Sequence, residues 1–221
     1  MTLSLTPHAS FPGQRPVLVV VADGVGVAPA GPMNAVTEAA TPTLDQLCES
    51  RLYTTLLAHG LAVGLPSDND MGNSEVGHNA LGAGRVFAQG ATLVNEAINT
   101  GAIFESDEWS AVITRGNAAT LHLLGLHSDG NIHSHTNHLY ALMRRAVADG
   151  VRRIRVHILH DGRDVDPRSA LTYIAQTEAV LAQLNATDGV DAAIASGGGR
   201  MTITMDRYGA DWSMVERGYW C

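Results

Sequence analysis

From about residue 91 onward the chain alternates short apolar runs with amphipathic stretches, and this alternation constrains its fold more than any other feature. The runs at 120–126, 154–159 and 191–195 have the length and apolar content of buried strands. Between the first two, residues 134–148 place Leu139, Leu142, Met143, Ala146 and Val147 on one helical face, with Gly150 as the stop. Another helix is expected from Asp166-Pro167 to about Leu184, and one near 92–99 precedes the first strand. Strands alternating with amphipathic helices predict an α/β fold with a largely parallel sheet, and no internal repeat interrupts the pattern.

The first ninety or so residues are less regular. Residues 1–16 hold Pro7, Pro12, Gly13 and Pro16 and read as a loose leader. The β-branched run 17–21 is expected as a buried strand that ends in Ala22-Asp23-Gly24, followed by a turn-rich stretch. Thr41-Pro42 opens a helix, with Thr as N-cap, Pro at the first helical position and Leu44 and Leu47 facing inward. A second strand is expected at 52–57. Residues 58–90 are rich in Gly, Asp and Asn with weak periodicity; a loop that long is usually functional or disordered, and its many specific polar groups favour function. At the other end 211–219 reads as a helix, and the sequence stops at Cys221 on an apolar stretch without a closing strand, which suggests a truncated protein.

Composition excludes several classes of function. The formal charge of −8 disfavours a nucleic-acid binder, because phosphate backbones are held by surplus cationic side chains. Lysine is absent, so all 14 cationic side chains are arginines; neither a Walker lysine nor a Schiff-base lysine is available. Planar, bidentate arginine is the only fixed-charge clamp for an anion. Two cysteines, Cys48 and Cys221, build neither a disulfide framework nor a CxxC metal site. No signal peptide is visible and the run 17–22 is too short to span a bilayer, so a cytoplasmic protein is the default expectation.

The residues that carry chemistry cluster just after the expected strands, where open α/β sheets bind ligands. Asp23, with Gly24 and Gly26 beside it, suits a metal ligand and equally a turn-capping carboxylate. Ser74, in Asp70-Met71-Gly72-Asn73-Ser74-Glu75-Val76-Gly77-His78-Asn79, stands before a short helix expected at 75–81. A helix N-terminus suits an incoming phosphoryl group, and a metal ion can turn a serine hydroxyl into a nucleophile. A lone serine there reads first as a helix cap; the surrounding Asp, Asn, Glu, His and four glycines weaken that reading. No His/Asp pair stands as its base. In Ser128-Asp129-Gly130-Asn131-Ile132-His133-Ser134-His135, His133 can donate to a phosphate, Ser134 reads as an N-cap, and His138 as an ordinary helix-face residue. The spacing of His127, His133, His135 and His138 argues against one zinc cluster. Arg163 and Asp164 in His160-Asp161-Gly162-Arg163-Asp164 suit a carboxylate and a hydroxyl, or a local ion pair. The glycines of Ser196-Gly197-Gly198-Gly199-Arg200 can wrap an anion, with Arg200 and Arg207 as clamps. Jointly these groups describe chemistry on a small anionic phosphoester.

ADGVG, DNDMGNSEVGHNALGAGR, SDGNIHSHTNHLYAL, HDGRDVDPRSA and ASGGGRMTITMDRYGADWSMVERGY, in this order, resemble the successive signatures of the cofactor-independent phosphoglycerate mutases and cover nearly the whole chain. The resemblance implies interconversion of 3-phosphoglycerate and 2-phosphoglycerate through a phosphoserine. It implies an α/β fold in which an incomplete alkaline-phosphatase-like domain, residues 1–88, is followed by most of an α/β transferase domain, residues 89–221. It implies two divalent cations, manganese first and magnesium or cobalt as alternatives, and a full-length monomer. By motif, Ser74 is the nucleophile, Asp23 and Ser74 are metal ligands, and His133, Arg163, Asp164, Arg200 and Arg207 hold the substrate. Ala22 stands where the family commonly has a bulkier residue, and Asn131 replaces a frequent glycine. The family's later metal ligands, a lysine and further arginines have no counterpart, so little activity is expected of the chain alone. The competing expectations are a related metal-dependent phosphatase, sulfatase or phosphopentomutase, which the signatures after residue 120 disfavour, and a non-catalytic phosphoglycerate-binding remnant.

Overall fold

A computed structural model describes residues 10, 16, 18–22, 24–204, 209 and 211–221 of the chain. The chain divides into two compact units, Met1–Thr55 and Leu56–Cys221. In the first unit the described residues form two short helices, α1 (Ala35–Glu38) and α2 (Pro42–Cys48). Thr41 is the N-cap of α2 and Pro42 its first residue, as the Thr-Pro pair predicts, but the Thr41 hydroxyl donates to the Asp45 carboxylate instead of capping a backbone N–H. Leu44 and Leu47 are exposed rather than turned inward. The strand expected at 17–21 is absent from residues 18–22, and Leu18, Val19 and Val20 are 86%, 71% and 79% exposed. The strand expected at 52–57 is likewise absent, with Leu52 and Leu56 exposed. Both corrections share a cause: a strand needs a neighbour for its backbone N–H and C=O groups, and neither run has one among the described residues.

The second unit carries the sheet. After a 3₁₀ turn at Gly60–Val63 come α3 (Ser74–Ala83), α4 (Gly90–Thr100) and α5 (Asp107–Ala118). Then β1 (Leu121–His127), α6 (Thr136–Ala148), β2 (Arg153–His160), α7 (Ala170–Asn185) and β3 (Asp191–Gly199) alternate, and α8 (Arg200–Ile203) and α9 (Trp212–Tyr219) close the chain. All strand pairings are parallel, in the order β1-β2-β3. Right-handed crossovers place α6 and α7 on one face of such a sheet. There Ile154, Val156 and Ala192 of the strands pack with Met143, Ala146, Val151, Val180 and Leu181 into the main core. On the other face Leu124 is 73% exposed, and His157 bridges the strands through hydrogen-bond contacts with His122 and Ser196.

Several local rules fix the element ends. The Ser106 hydroxyl caps α5 by accepting from Trp109 N–H, and Asp107 and Glu108 favour its positive end. The imidazole of His135, not Ser134, caps α6 by accepting from Asn137 N–H, so that helix begins two residues later than its apolar face predicts. Gly150, with φ 106°, ends the turn beyond α6 in a backbone conformation that a side chain would strain. No helix among the described residues is long and apolar enough to cross a membrane.

Candidate functional site

The register of the sheet assembles the site. His127 is level with His160, and His160 with Gly199, so the three strands end in step. The next residues, Ser128, Asp161 and Arg200, therefore meet. Ser128 Oγ donates to Asp161 Oδ2 at 2.6 Å, and Arg200 Nη1 donates to Asp161 Oδ1 at 2.7 Å. The backbone N–H groups of Arg163 and Asp164 also donate to Asp161 Oδ1, folding the loop after β2 around this carboxylate. Burial on its own would raise the Asp161 pKa; the hydrogen bonds from Asp164 N–H, Ser128 and Arg200 outweigh it and hold the carboxyl below the usual range. Asp161 is thus an ionised, fully occupied acceptor, a hub rather than a ligand-facing group.

Arg200 is 2% exposed and splits its charge, Nη1 donating at 2.6 Å to Asp164 Oδ2 as well as to Asp161. Its Nε is buried without a hydrogen-bond partner. Asp164 pairs with Arg200 across the sheet end, which sets aside a local Arg163–Asp164 pair. His133, nearly half exposed, brings Nε2 to 3.9 Å from Asp164 Oδ2. Among the described residues Arg163 makes no side-chain hydrogen bond or ion pair. These groups share one cavity of about 310 Å³, lined by Leu126, His133, Leu159, Arg163, Asp164, Arg200 and Thr204. Its chemistry is that of a small anionic, hydroxylated ligand: an uncommitted guanidinium, a carboxylate able to accept from a hydroxyl, and an imidazole at the rim.

His127 belongs to the framework. It is 1% exposed, its Nε2 lies 2.6 Å from Thr177 Oγ1, and burial followed by the charge of neighbouring His160 brings its pKa down to about 4, so it is neutral near pH 7. Asp129 is engaged by Tyr173, whose hydroxyl donates to it and whose pKa burial and that carboxylate push up to about 12. His138 Nε2 contacts Asn95 Oδ1 of α4, a tie that its position on the helix surface does not reveal.

Ser74 lies elsewhere. It is the first residue of α3, and Asn73, not Ser74, is the cap, accepting from Val76 N–H at 2.9 Å. The hydroxyl is exposed at a helix start, as a phosphate acceptor requires. His78, one turn on, has Nδ1 at 3.2 Å from Ser74 Oγ and at 2.7 Å from Ser74 O. One nitrogen cannot donate to the carbonyl and accept from the hydroxyl together, and the shorter contact assigns the proton to Nδ1. His78 therefore steadies the first turn and is not poised as the base for Ser74. Asp23 and Arg207, expected as metal ligand and substrate clamp, lie outside the described residues. Among the described residues no three His, Cys, Asp or Glu side chains gather to hold a metal ion.

Of the expected site residues, His133, Arg163, Asp164 and Arg200 come together in one cavity, and Ser74 does not line it. The hub formed by Ser128 and Asp161 escapes sequence reasoning because it depends on strand register; its one visible signal is that both residues directly follow strands.

Comparison with known proteins bears on the same segments. The family described as BPG-independent PGAM N-terminus matches residues 94–221, more than half of the chain. The chain belongs to this family. A probable 2,3-bisphosphoglycerate-independent phosphoglycerate mutase of Leptospira interrogans is 54% identical over 209 residues, which are 93% of this chain and 38% of that protein. The 2,3-bisphosphoglycerate-independent phosphoglycerate mutase of Trypanosoma brucei brucei is 51% identical over 224 residues, 99% of this chain and 40% of that protein. Leishmania mexicana phosphoglycerate mutase, solved at low cobalt concentration, superposes with a TM-score of 0.79 at 52% identity, covering 89% of this chain and 36% of the other. The chain thus spans about two fifths of the length of these relatives.

Proposed function

We propose that this chain supplies the phosphate-accepting serine and much of the substrate site of a 2,3-bisphosphoglycerate-independent phosphoglycerate mutase. The reaction is interconversion of 3-phosphoglycerate and 2-phosphoglycerate in the cytoplasm, and the whole protein acts as a monomer. The observation that carries this reading is the convergence of His133, Arg163, Asp164 and Arg200 on one cavity of about 310 Å³ in a chain of this family. Residues 1–88 are assigned to the first part of an alkaline-phosphatase-like, metal-binding domain, and 89–221 to the transferase domain.

In this scheme Arg163 pairs with the glycerate carboxylate, Asp164 accepts from a glycerate hydroxyl, and His133 donates to the phosphate. Arg200, already neutralised by Asp161 and Asp164, orients Asp164 and offers its remaining N–H groups; Arg207 is a second anion clamp. Ser74 accepts the phosphoryl group and returns it to the other hydroxyl of the reoriented glycerate, so that positioning and charge neutralisation do most of the work. Divalent cations, manganese first and magnesium or cobalt as alternatives, are assigned to the whole protein with Asp23 and Ser74 as this chain's ligands. The described residues do not by themselves fit such a centre, since no three ligating side chains gather among them.

Calorimetry of 3-phosphoglycerate with the 221-residue chain tests the assignment. Because Arg163 makes no side-chain hydrogen bond or ion pair among the described residues, Arg163→Ala leaves stability within about 0.5 kcal/mol and weakens binding by about tenfold to a hundredfold. Equal affinity for 3-phosphoglycerate in both proteins would remove the cavity from the scheme.

A further inference from the structure

The turn that carries Ser74 and the loop that carries His133 are remote in sequence and touch in the fold. Asn131 Nδ2 donates to Asp70 Oδ1, and Asn73 Nδ2 reaches Ile132 O at 3.5 Å. A small cavity of about 140 Å³ runs along the seam, with Met71, Asn73 and Val76 on one side and Asn131 and Ile132 on the other. Asn131 is the only non-glycine residue with positive φ among the described residues, at 56°. Asparagine tolerates this left-handed conformation, and glycine adopts it more readily. A glycine at 131 would keep the loop's backbone and lose the link, so the Asn131 amide adds a tie without changing the path of the chain. Its partner is prepared for it. Burial would raise the Asp70 pKa, but hydrogen bonds from the Ser67 hydroxyl and from Asn131 outweigh it and keep the carboxyl ionised. An amide donating to a carboxylate is a charge-assisted bond, stronger than one between neutral groups.

We propose that Asn131 is a positioning residue, which through Asp70 fixes the Ser74 turn against the loop that presents His133. The role rests on the reading of Ser74 as the phosphate acceptor; the tie itself does not. Asn131 does not line the cavity of about 310 Å³, bonds Asp70 rather than the Ser74 hydroxyl, and acts by setting where that hydroxyl stands.

The test is amide hydrogen exchange read by mass spectrometry on the 221-residue chain and three variants. Asn131→Gly removes the donor at no conformational cost. Asn131→Asp sets two carboxylates side by side. Asp70→Asn combined with Asn131→Asp restores an amide–carboxylate pair with donor and acceptor exchanged, on residues that both tolerate the left-handed loop. Both single variants are expected to speed exchange over residues 67–79 by about fivefold to tenfold, with β1 and β2 unchanged. The swapped pair is expected to return to within about twofold of the parent, which a residue acting through strain or bulk alone would not do. Unchanged exchange in Asn131→Gly, or no recovery in the swapped pair, overturns the proposal. The readout needs neither ligand nor turnover, so its failure leaves the assignment of Ser74 standing, and failure of that assignment leaves the measured tie intact.

Discussion

At the scale of single residues, the candidate site is organised by a carboxylate that does not line its cavity. Asp161 accepts from Ser128, Arg200 and two backbone N–H groups, and Arg200 in turn holds Asp164. Arg200→Ala would leave two carboxylates near one another without their cation. Urea unfolding of that variant is expected to show a loss of about 3–5 kcal/mol, in contrast to the near-neutral Arg163→Ala. His127 gives a pH signature. Its proton leaves the folded protein at a pKa of about 4, against 6.5 for an ordinary histidine. Between those values the unfolded chain binds the proton and the folded one does not, so stability falls as pH drops through this window and levels off below it. Unfolding free energies at pH 7, 5.5 and 4.5 should fall more steeply in the parent than in His127→Gln, by at most about 1.4 kcal/mol per pH unit. The candidate ligand groups were legible at this scale because His133, Arg163, Asp164 and Arg200 follow strands that periodicity locates. Arg200's internal neutralisation was not, since nothing in the order Gly-Gly-Gly-Arg says that two carboxylates from another loop will meet it.

At the scale of elements, the strands and helices of residues 120–195 were legible from apolar runs and amphipathic stretches, but α7 begins at Ala170 rather than at 166, and β3 continues to Gly199, so the glycines expected to wrap an anion are paired strand residues instead. α5 was not anticipated, since Asp107–Ala118 mixes apolar and polar residues; its signal was the Ser106 cap followed by Asp107 and Glu108. α3 is longer than the helix expected at 75–81 because Gly77 and Gly82 obscure it, and both sit in open space, unlike Gly64 at the end of the preceding 3₁₀ turn. A methyl group on Gly82 would meet nothing within 4 Å, whereas one on Gly64 would lie 1.7 Å from Phe87 O at a φ of 84°. Gly82→Ala is therefore expected to raise unfolding stability by about 0.5–1 kcal/mol. Gly64→Ala should lower it by about 2–4 kcal/mol, from overlap and left-handed strain together. Chemical denaturation of the two variants side by side checks both signs.

At the scale of the whole molecule, the chain spans about two fifths of its relatives' length. The β-branched run at 17–21 was expected as a buried strand, and its described part is instead exposed and unpaired. Propensity specified the segment's preference and could not supply a neighbour, because pairing is a property of chain remote in sequence. The same limit applies to the proposed metal ligands. Asp23 and Ser74 are two groups, and two divalent cations need several more. The purified 221-residue chain with manganese is therefore expected to turn over 3-phosphoglycerate little or not at all; robust turnover in a coupled assay would show that it completes the centre alone.

The in-step ending of β1, β2 and β3 has a consequence for how such a chain can change over generations. Ser128, Asp161 and Arg200 meet because each is the first residue beyond a strand whose end is level with its neighbour's. One residue inserted within a strand would advance that corner by about 3.3 Å and turn the following side chains to the opposite face of the sheet. Insertions in the turns that enter the strands, at 149–152 or 186–190, would leave all three corners in place. Length drift in descendants of this chain is thus confined to the connections, and the strands and the three corner residues can vary only by substitution.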